Sequence, residues 1–410
     1  MAPSAIATPP AVAPQIYKPQ ALNDAQIKII LDTVPILESA GETLTAKFYQ
    51  RMFIDYPEVK VYFNDSDQKF LRQPRILAFA LLNYAKNIQD LTPLTAFVKQ
   101  IVSKHVGLKV KAEHYPCVGN SLIKTMGELL GPETATPEFV EAWSIAYGNL
   151  AQLLIGLEND EYQKEPWQDF RSFTVTKIEK ECEDVKSVYF KPAESEHKIK
   201  IPKRGQYVCI RWDLPGHEQE KSREYSLSQF PTGEEYRISV RLLEGGQISS
   251  FVHNDLKVGD VLKVAPPNGN FFYEESDKDL VLIVGGIGIT PIISILEEAL
   301  NNGRTVTLLN SNRTVSSRPF SNYLKGLKKQ YGDKLNIKEY FSAEKEALSP
   351  ESVIDEVEYK SVGDKDLDFI TTDHDVYLLG PRGYMKYVKT YLAGKGINDI
   401  KLEYFGPLDV

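Results

Sequence analysis

Between residues 19 and 163 the apolar positions recur at helical intervals. In ETLTAKFYQRMF, Leu44, Phe48 and Met52 stand four residues apart and share one face of a helix. RILAFALLNYAKNI and TAFVKQIVSKH continue that pattern. GPETATPEFVEAWSIAYGNLAQLLIGLENDEY reads as a turn, a helix start near Pro137, and a long buried helix. Prolines at 57, 74, 93 and 116 divide the region into short helices, which favours an irregular helical fold over an up-and-down bundle.

The period shortens after residue 163. DFRSFTVTKIEKE, KSVYFKPA, GQYVCIRWDL, YRISVRLLE and DVLKVAPP are strand-like segments separated by turns, and they predict an antiparallel β-barrel over 164–274. From 275 to 410 strands alternate with helices, VLIVGG leading into one and VYLLGPRGYMKYVKTYLAGKG repeating the order. An α/β domain with a parallel sheet is expected there. The acidic stretch around 344–375 is read as an exposed insertion or sheet edge. The chain is therefore multidomain: all-α, then antiparallel β, then α/β.

Residues 1–18, rich in alanine and proline, read as a flexible tail. They lack the basic start and continuous apolar core of a secretory signal. Their prolines and lack of arginine also oppose a mitochondrial presequence. Cys117, Cys182 and Cys209 are too few and too scattered for a disulfide framework and suit a reducing compartment, so a cytoplasmic location is expected. A formal charge of −8 argues against a nucleic-acid partner. No apolar run is long enough for a transmembrane segment, and no obligatory protein partner is inferred.

The sharpest local chemistry is LVLIVGGIGITPIISILEEAL, a buried strand, a glycine turn and a helix start. Gly285, Gly286 and Gly288 allow a ligand's close approach, and the helix opening at Thr290 and Pro291 offers free N–H groups to phosphate. A tight strand–helix turn would use the same residues. Gly380, Pro381 and Gly383 form a second turn at a strand end. In SREYSLSQF, Arg223 can pair with a pyrophosphate, while Tyr225 and Ser226 can meet a planar ring and its polar tail. In EGGQISSFVHN, Gly246, Gln247, Ile248 and Ser249 resemble a turn entering a helix. Ser311, Arg313 and Arg318 could receive an adenosine 2′-phosphate or simply lie on a solvated loop. His105 and His114, nine positions apart, match no tight metal-ligand pair, and Cys117 has no CxxC partner.

Residues 167–410 resemble the flavin and nicotinamide modules of the ferredoxin–NADP reductase family. The resemblance rests on GQY at 205–207, REYSL at 223–227, GGQIS at 245–249, GGIGITP at 285–291, GPRGYM at 380–385 and EYFGP at 403–407. It implies that Tyr207, Arg223, Tyr225, Ser226 and Gln247 lie near FAD and that Phe405 covers the flavin face. Many relatives have cysteine just before GPxxM, where this chain has Leu379. The helical region resembles a globin, and nearly the whole chain resembles a flavohaemoglobin, most like those of fungi. FYQRMF, VYFN, QPRIL, SKH, HYPCVG and AWSIAYGNL occur in the family's order.

On that resemblance His105 is the proximal iron ligand of a noncovalent haem b, and His114 is not a ligand. Tyr49 is the distal tyrosine and Gln73 the second distal polar group, with Phe63 and Leu77 packing the haem pocket. Tyr115 and Glu158 are the partners that orient His105, and Lys104 with Glu403 form a charged pair near the haem–flavin junction. The implied cofactors are haem b, FAD and NAD(P)H. The implied reaction is nitric oxide dioxygenation, in which NO and O2 become nitrate at the expense of NAD(P)H. A haem or flavin reductase, or an oxygen-binding redox sensor, are the alternatives.

Overall fold

The computed structural model describes residues 19–64, 68–344 and 348–405, so the tail lies outside the described residues. The chain forms two compact units. The first comprises Met1–Lys60, Leu71–Val102 and Val110–Gln163, and the second Val61–Phe70, Ser103–Lys109 and Lys164–Val410. No helix among the described residues is long and apolar enough to cross a membrane.

The first unit is helical. Its elements are α1 (Asp24–Asp32), α2 (Val34–Asp55), α3 (Arg72–Lys86), the first part of α4 (Thr95–Leu108), α5 (Tyr115–Thr134) and α6 (Pro137–Tyr162). The predicted stripe on α2 is its buried face: Leu44, Phe48 and Met52 are at most 3% exposed. Gly41 lets α3 approach, since a Cβ there would sit 3.4 Å from Ala78 Cβ. The Thr45 hydroxyl donates to the Pro74 carbonyl at 2.8 Å and ties the same two helices. Thr136 caps α6 by accepting from Phe139 N–H, and Pro137 follows it where a missing N–H costs no helical bond. The predicted turn at Gly131–Pro132 is a kink inside α5, where Gly131 has φ of 71°.

The second unit carries two six-stranded sheets. The first contains β1 (Arg171–Cys182), β2 (Val185–Pro192), β3 (Tyr207–Trp212), β4 (Lys221–Ser226), β5 (Tyr236–Arg241) and β6 (Val261–Val264), with α7 (Gln247–Asn254) before β6. Its order is β4-β3-β6-β1-β2-β5, and every pairing is antiparallel. A bridge between Leu227 and Ile238 links the segment after one edge strand to the other.

The second sheet is parallel throughout, as expected. It contains β7 (Asp279–Gly285), β8 (Val306–Asn312), β9 (Leu335–Phe341), β10 (Glu356–Glu358), β11 (His374–Leu379) and β12 (Ile400–Leu402), in the order β10-β9-β8-β7-β11-β12. Helices α8 (Ile289–Asn301), α9 (Ser321–Tyr331), α10 (Asp364–Leu367) and α11 (Arg382–Gly394) accompany it. The acidic stretch supplies β10 at the sheet's edge. The winding reverses between β7 and β11, so a ligand is expected outside the carboxyl ends of those strands.

Two glycines of α5 test the helical packing. A Cβ on Gly119 would lie 2.5 Å from the Tyr147 ring, whereas one on Gly127 would meet nothing within 4 Å. Gly119→Ala is expected to lower the unfolding free energy by roughly 1–3 kcal/mol. Gly127→Ala should leave it unchanged or raise it by up to about 1 kcal/mol. Urea denaturation of both variants measures the contrast.

Candidate functional site

In the helical unit the structure joins two of the predicted pairs. Tyr49, on α2, is 6% exposed, and its hydroxyl hydrogen-bonds Gln73 near the start of α3. Burial raises the Tyr49 pKa more than Gln73 lowers it, so the phenol stays protonated as a donor. Leu77 follows Gln73 by one helical turn and shares its face of α3. The Tyr115 hydroxyl donates to Glu158 Oε1 at 2.6 Å, from the start of α5 to the end of α6. Glu158 is 2% exposed, and burial followed by this carboxylate's charge raises the Tyr115 pKa. The Tyr147 hydroxyl donates to the Tyr115 carbonyl at 2.7 Å and fixes the backbone there.

His105 lies in the last turn of α4 and is half-buried; His114, in the short turn before α5, takes the Lys111 N–H on Nδ1 at 3.0 Å. Phe63 is half-buried in the segment after α2. Among the described residues no cluster of three or more histidine, cysteine or acidic side chains could hold a bare metal ion. A haem needs less, because the porphyrin supplies four nitrogens and the protein a single imidazole.

Within the second unit Lys104, the neighbour of His105, stands between two carboxylates. Its ammonium is 2.9 Å from Glu224 and 3.6 Å from Glu403, and lies 5.0 Å from the centre of the Tyr207 ring. The expected Lys104–Glu403 pair is present. Glu224, missed in the sequence reading although it sits inside REYSL, is the closer partner. Burial acts to lower the Lys104 pKa, but the two carboxylates outweigh it and keep the side chain charged. Burial raises the Glu403 pKa; Lys104 opposes this and Glu224 adds to it.

Tyr207 fits closely between two glycines, with Cβ positions on Gly107 and Gly269 at 2.7 and 2.9 Å from its side chain. The Tyr207 hydroxyl, Ser222 Oγ and Glu224 Oε1 are buried without a hydrogen-bond partner of good geometry. Tyr207 faces Glu224 and Ser222 faces Cys209, so these polar groups answer one another within the sheet. Arg223 donates to Asn64 Oδ1 at 3.1 Å and to the Ser222 carbonyl at 2.7 Å, leaving further N–H groups for a pyrophosphate. Tyr225 packs edge-on against Trp212, and Ser226 pairs with Tyr207 across β4 and β3.

Gly246 is the N-cap of α7, and a Cβ there would collide with Ser249 Oγ at 2.5 Å. The Ser249 hydroxyl turns back to Leu243 N–H at 3.1 Å, while Ile248 belongs to the sheet's hydrophobic core. Only the backbone N–H groups of this turn and the exposed Gln247 side chain remain for a ligand.

At the second sheet the glycines have partners that the sequence did not show. A Cβ on Gly285 would lie 2.8 Å from Pro381 Cδ, and one on Gly288 would lie 2.6 Å from the Leu379 carbonyl oxygen. The two turns, GGIG after β7 and GP after β11, therefore require glycine to pack against each other. Gly380 completes that contact, since a Cβ there would lie 3.0 Å from Gly285 N. Thr290 and Pro291 lie buried in the first turn of α8. Phe405, 49% exposed, follows β12. Leu379, 1% exposed, is a core residue.

Of the three residues considered for a 2′-phosphate, Arg318 must be withdrawn. It is buried, pairs with Glu339 at 2.7 Å and donates to the Ser352 carbonyl at 3.0 Å. Ser311 Oγ meets the Tyr384 hydroxyl at 3.2 Å. Arg313 is exposed.

Three family signatures match the chain: Globin over 46–154, Oxidoreductase FAD-binding domain over 172–273, and Oxidoreductase NAD-binding domain over 282–390. A flavohemoprotein of Candida albicans is 60% identical over 395 residues, 96% of this chain and 99% of that protein. The flavohemoglobin of Malassezia yamatoensis, solved with bound FAD and heme, is 26% identical with a TM-score of 0.82, covering 94% of this chain and all of that one. The FAD/NAD-binding domain of a Vibrio cholerae nitric oxide dioxygenase is 30% identical with a TM-score of 0.52, covering 58% of this chain and all of that one.

Two variant sets follow from these ion pairs. Arg318→Met strands a buried carboxylate at Glu339 and should cost about 3–5 kcal/mol, most of it recovered in Arg318→Met/Glu339→Leu. A double-mutant cycle for Lys104 and Glu224 should give a larger coupling than one for Lys104 and Glu403, on the order of 1 kcal/mol against less. Chemical denaturation reads both.

Proposed function

The chain belongs to the flavohemoprotein family, and from that premise we propose that it oxidises nitric oxide to nitrate with O2, at the expense of NAD(P)H. The observation that carries the proposal is the buried Tyr49–Gln73 pair, a distal hydrogen-bond donor in a chain that also has FAD- and NAD-binding domains. An oxygen store needs the first and has no use for the second. We place the domain boundaries at 19–163, 164–274 and 275–410, with an antiparallel barrel as the middle domain. A cytoplasmic site of action suits the three free cysteines.

When bound, FAD would pass on the two electrons of one hydride singly, and haem would bring O2 and NO together. The chain's residues set the conditions. His105 would hold the haem iron through its imidazole. Tyr115 and Glu158 form the rigid hydrogen-bonded unit that would orient its imidazole, since Glu158 is buried and held by the Tyr115 hydroxyl. Tyr49, kept protonated by burial, would offer its O–H to a ligand held at the haem. Arg223 would hold the flavin's pyrophosphate with N–H groups other than those given to Asn64 and Ser222. Two NO and two O2 are consumed for each NAD(P)H, and nitrate, NAD(P)+ and a proton result.

Aerobic NO consumption in step with NADH or NADPH oxidation, with nitrate as product, tests the activity. Reduction of haem without NO turnover would instead make the chain a reductase. Tyr49→Phe is expected to speed O2 release about tenfold, the lower end for a charge-assisted hydrogen bond because Gln73 remains. Flavin reduction by NAD(P)H should not change in that variant. An O2 dissociation rate equal to the parent's, with Gln73 also replaced, removes Tyr49 from the site. His105→Ala should abolish haem binding and leave FAD bound, as metal content and visible spectra will show.

A further inference from the structure

The first turn of α3, which carries Gln73, has little of its own to hold it. Its N-cap is Leu71, an exposed residue in the left-handed region with φ of 54°, and no side chain caps the free N–H groups there. A leucine does not favour that backbone, and an uncapped first turn frays. Two contacts with α2 hold it instead. Outside, Arg75 Nε donates to Glu42 Oε2 at 3.1 Å, but both side chains are more than half exposed and such a pair adds little. Inside, the hydroxyl of fully buried Thr45 lies 2.8 Å from the Pro74 carbonyl.

That hydroxyl has alternatives. The Gly41 and Glu42 carbonyls of its own helix lie at 3.0 and 3.2 Å, the usual destination of a helical threonine's O–H. One hydrogen cannot serve three acceptors equally, and the shortest contact is the one across to α3. Its placement links the two distal groups. Thr45 stands one helical turn before Tyr49 on the buried face of α2, and Pro74 directly follows Gln73. Inside α3 the Pro74 carbonyl also takes the helix's own bond from Ala78 N–H, so loss of the Thr45 O–H leaves no carbonyl orphaned. The tie therefore contributes position more than stability.

We propose that Thr45 is a positioning residue of the distal pair: its hydroxyl, through the Pro74 carbonyl, holds the first turn of α3 so that Gln73 stays on the Tyr49 phenol, and so sets how long O2 is retained at the haem. This rests on the reading of Tyr49 and Gln73 as the distal pair and adds a residue that acts through them. With the tie broken, the turn opens more often, and Gln73 leaves Tyr49 in that fraction of molecules. One neutral hydrogen bond shifts such a balance by about fivefold.

The full-length holoprotein tests this, with carbon monoxide on ferrous haem as the probe. A polar donor beside the bound gas lowers its C–O stretching frequency, so the infrared band reports the Tyr49–Gln73 pair. Thr45→Val keeps the branched shape and removes the donor. It should add a band at higher frequency and speed O2 release up to about fivefold, with flavin reduction by NAD(P)H unchanged. Thr45→Ser, which keeps the hydroxyl, should restore the parent's band and rate. In a Gln73→Ala background Thr45→Val should change neither. A parent-like band and rate in Thr45→Val, or an undiminished effect in the Gln73→Ala background, would overturn the proposal. Should Thr45→Val lose haem or unfold, the smaller pair Thr45→Ser and Thr45→Ala decides, since the two differ by the hydroxyl alone. A second band in Thr45→Ala only supports the proposal, and identical bands in both overturn it. If Tyr49→Phe and Gln73→Ala themselves leave band and rate unchanged, the distal reading fails and the role of Thr45 with it.

Discussion

An ammonium partly withdrawn from water needs a partner, and half-buried Lys104 meets that constraint with carboxylates from two distant parts of the chain. Glu224 comes from β4 and Glu403 from the segment after β12, so one cation fixes three segments of the second unit. The same ammonium lies over Tyr207, whose ring is seated where Gly107 and Gly269 leave room. Moving the charge would therefore disturb the last turn of α4, and with it the residue before His105. The nearer partner is Glu224, in a strand with regular hydrogen-bonded neighbours. Glu403 is the weaker one, at 3.6 Å and two residues before the half-exposed Phe405. If Phe405 yields to an arriving nicotinamide, Lys104 keeps its main partner.

Much of this was legible in the sequence because it is local. The stripe Leu44, Phe48, Met52 became a buried face, Pro137 a helix start, and the run from Leu280 to Gly285 a fully buried parallel strand. The flavohaemoglobin resemblance also paired residues that no spacing rule could pair, Tyr115 with Glu158 and Lys104 with Glu403. What it did not reveal were the reasons behind some matches. Gly285 and Gly288 read as openings for a ligand, but their immediate cause is the approach of Pro381 and the Leu379 carbonyl from the next strand end. Ser249 read as part of a turn entering a helix, and its hydroxyl is spent on Leu243. Such contacts form only after distant segments meet, so periodicity carries no trace of them.

Three arginines around the coenzyme module show why residue type alone cannot identify a ligand-binding cation. Arg318 is buried, with its charge matched by Glu339 and a further N–H donated to the Ser352 carbonyl. Removing that arginine would expose a carboxylate to a low-dielectric interior, so its cost is structural. Arg313 stands in solvent. Arg241 lies between these extremes: its side chain is 19% exposed and anchored on two sides, with one terminal nitrogen directed at a turn that only glycine can occupy. A fully matched cation has nothing left to offer a ligand, and a fully solvated one must be ordered when the ligand binds. Arg241 is anchored by Asp184 and Ser317 and Arg318 by Glu339 and Ser352, so anchorage separates both from the solvated Arg313.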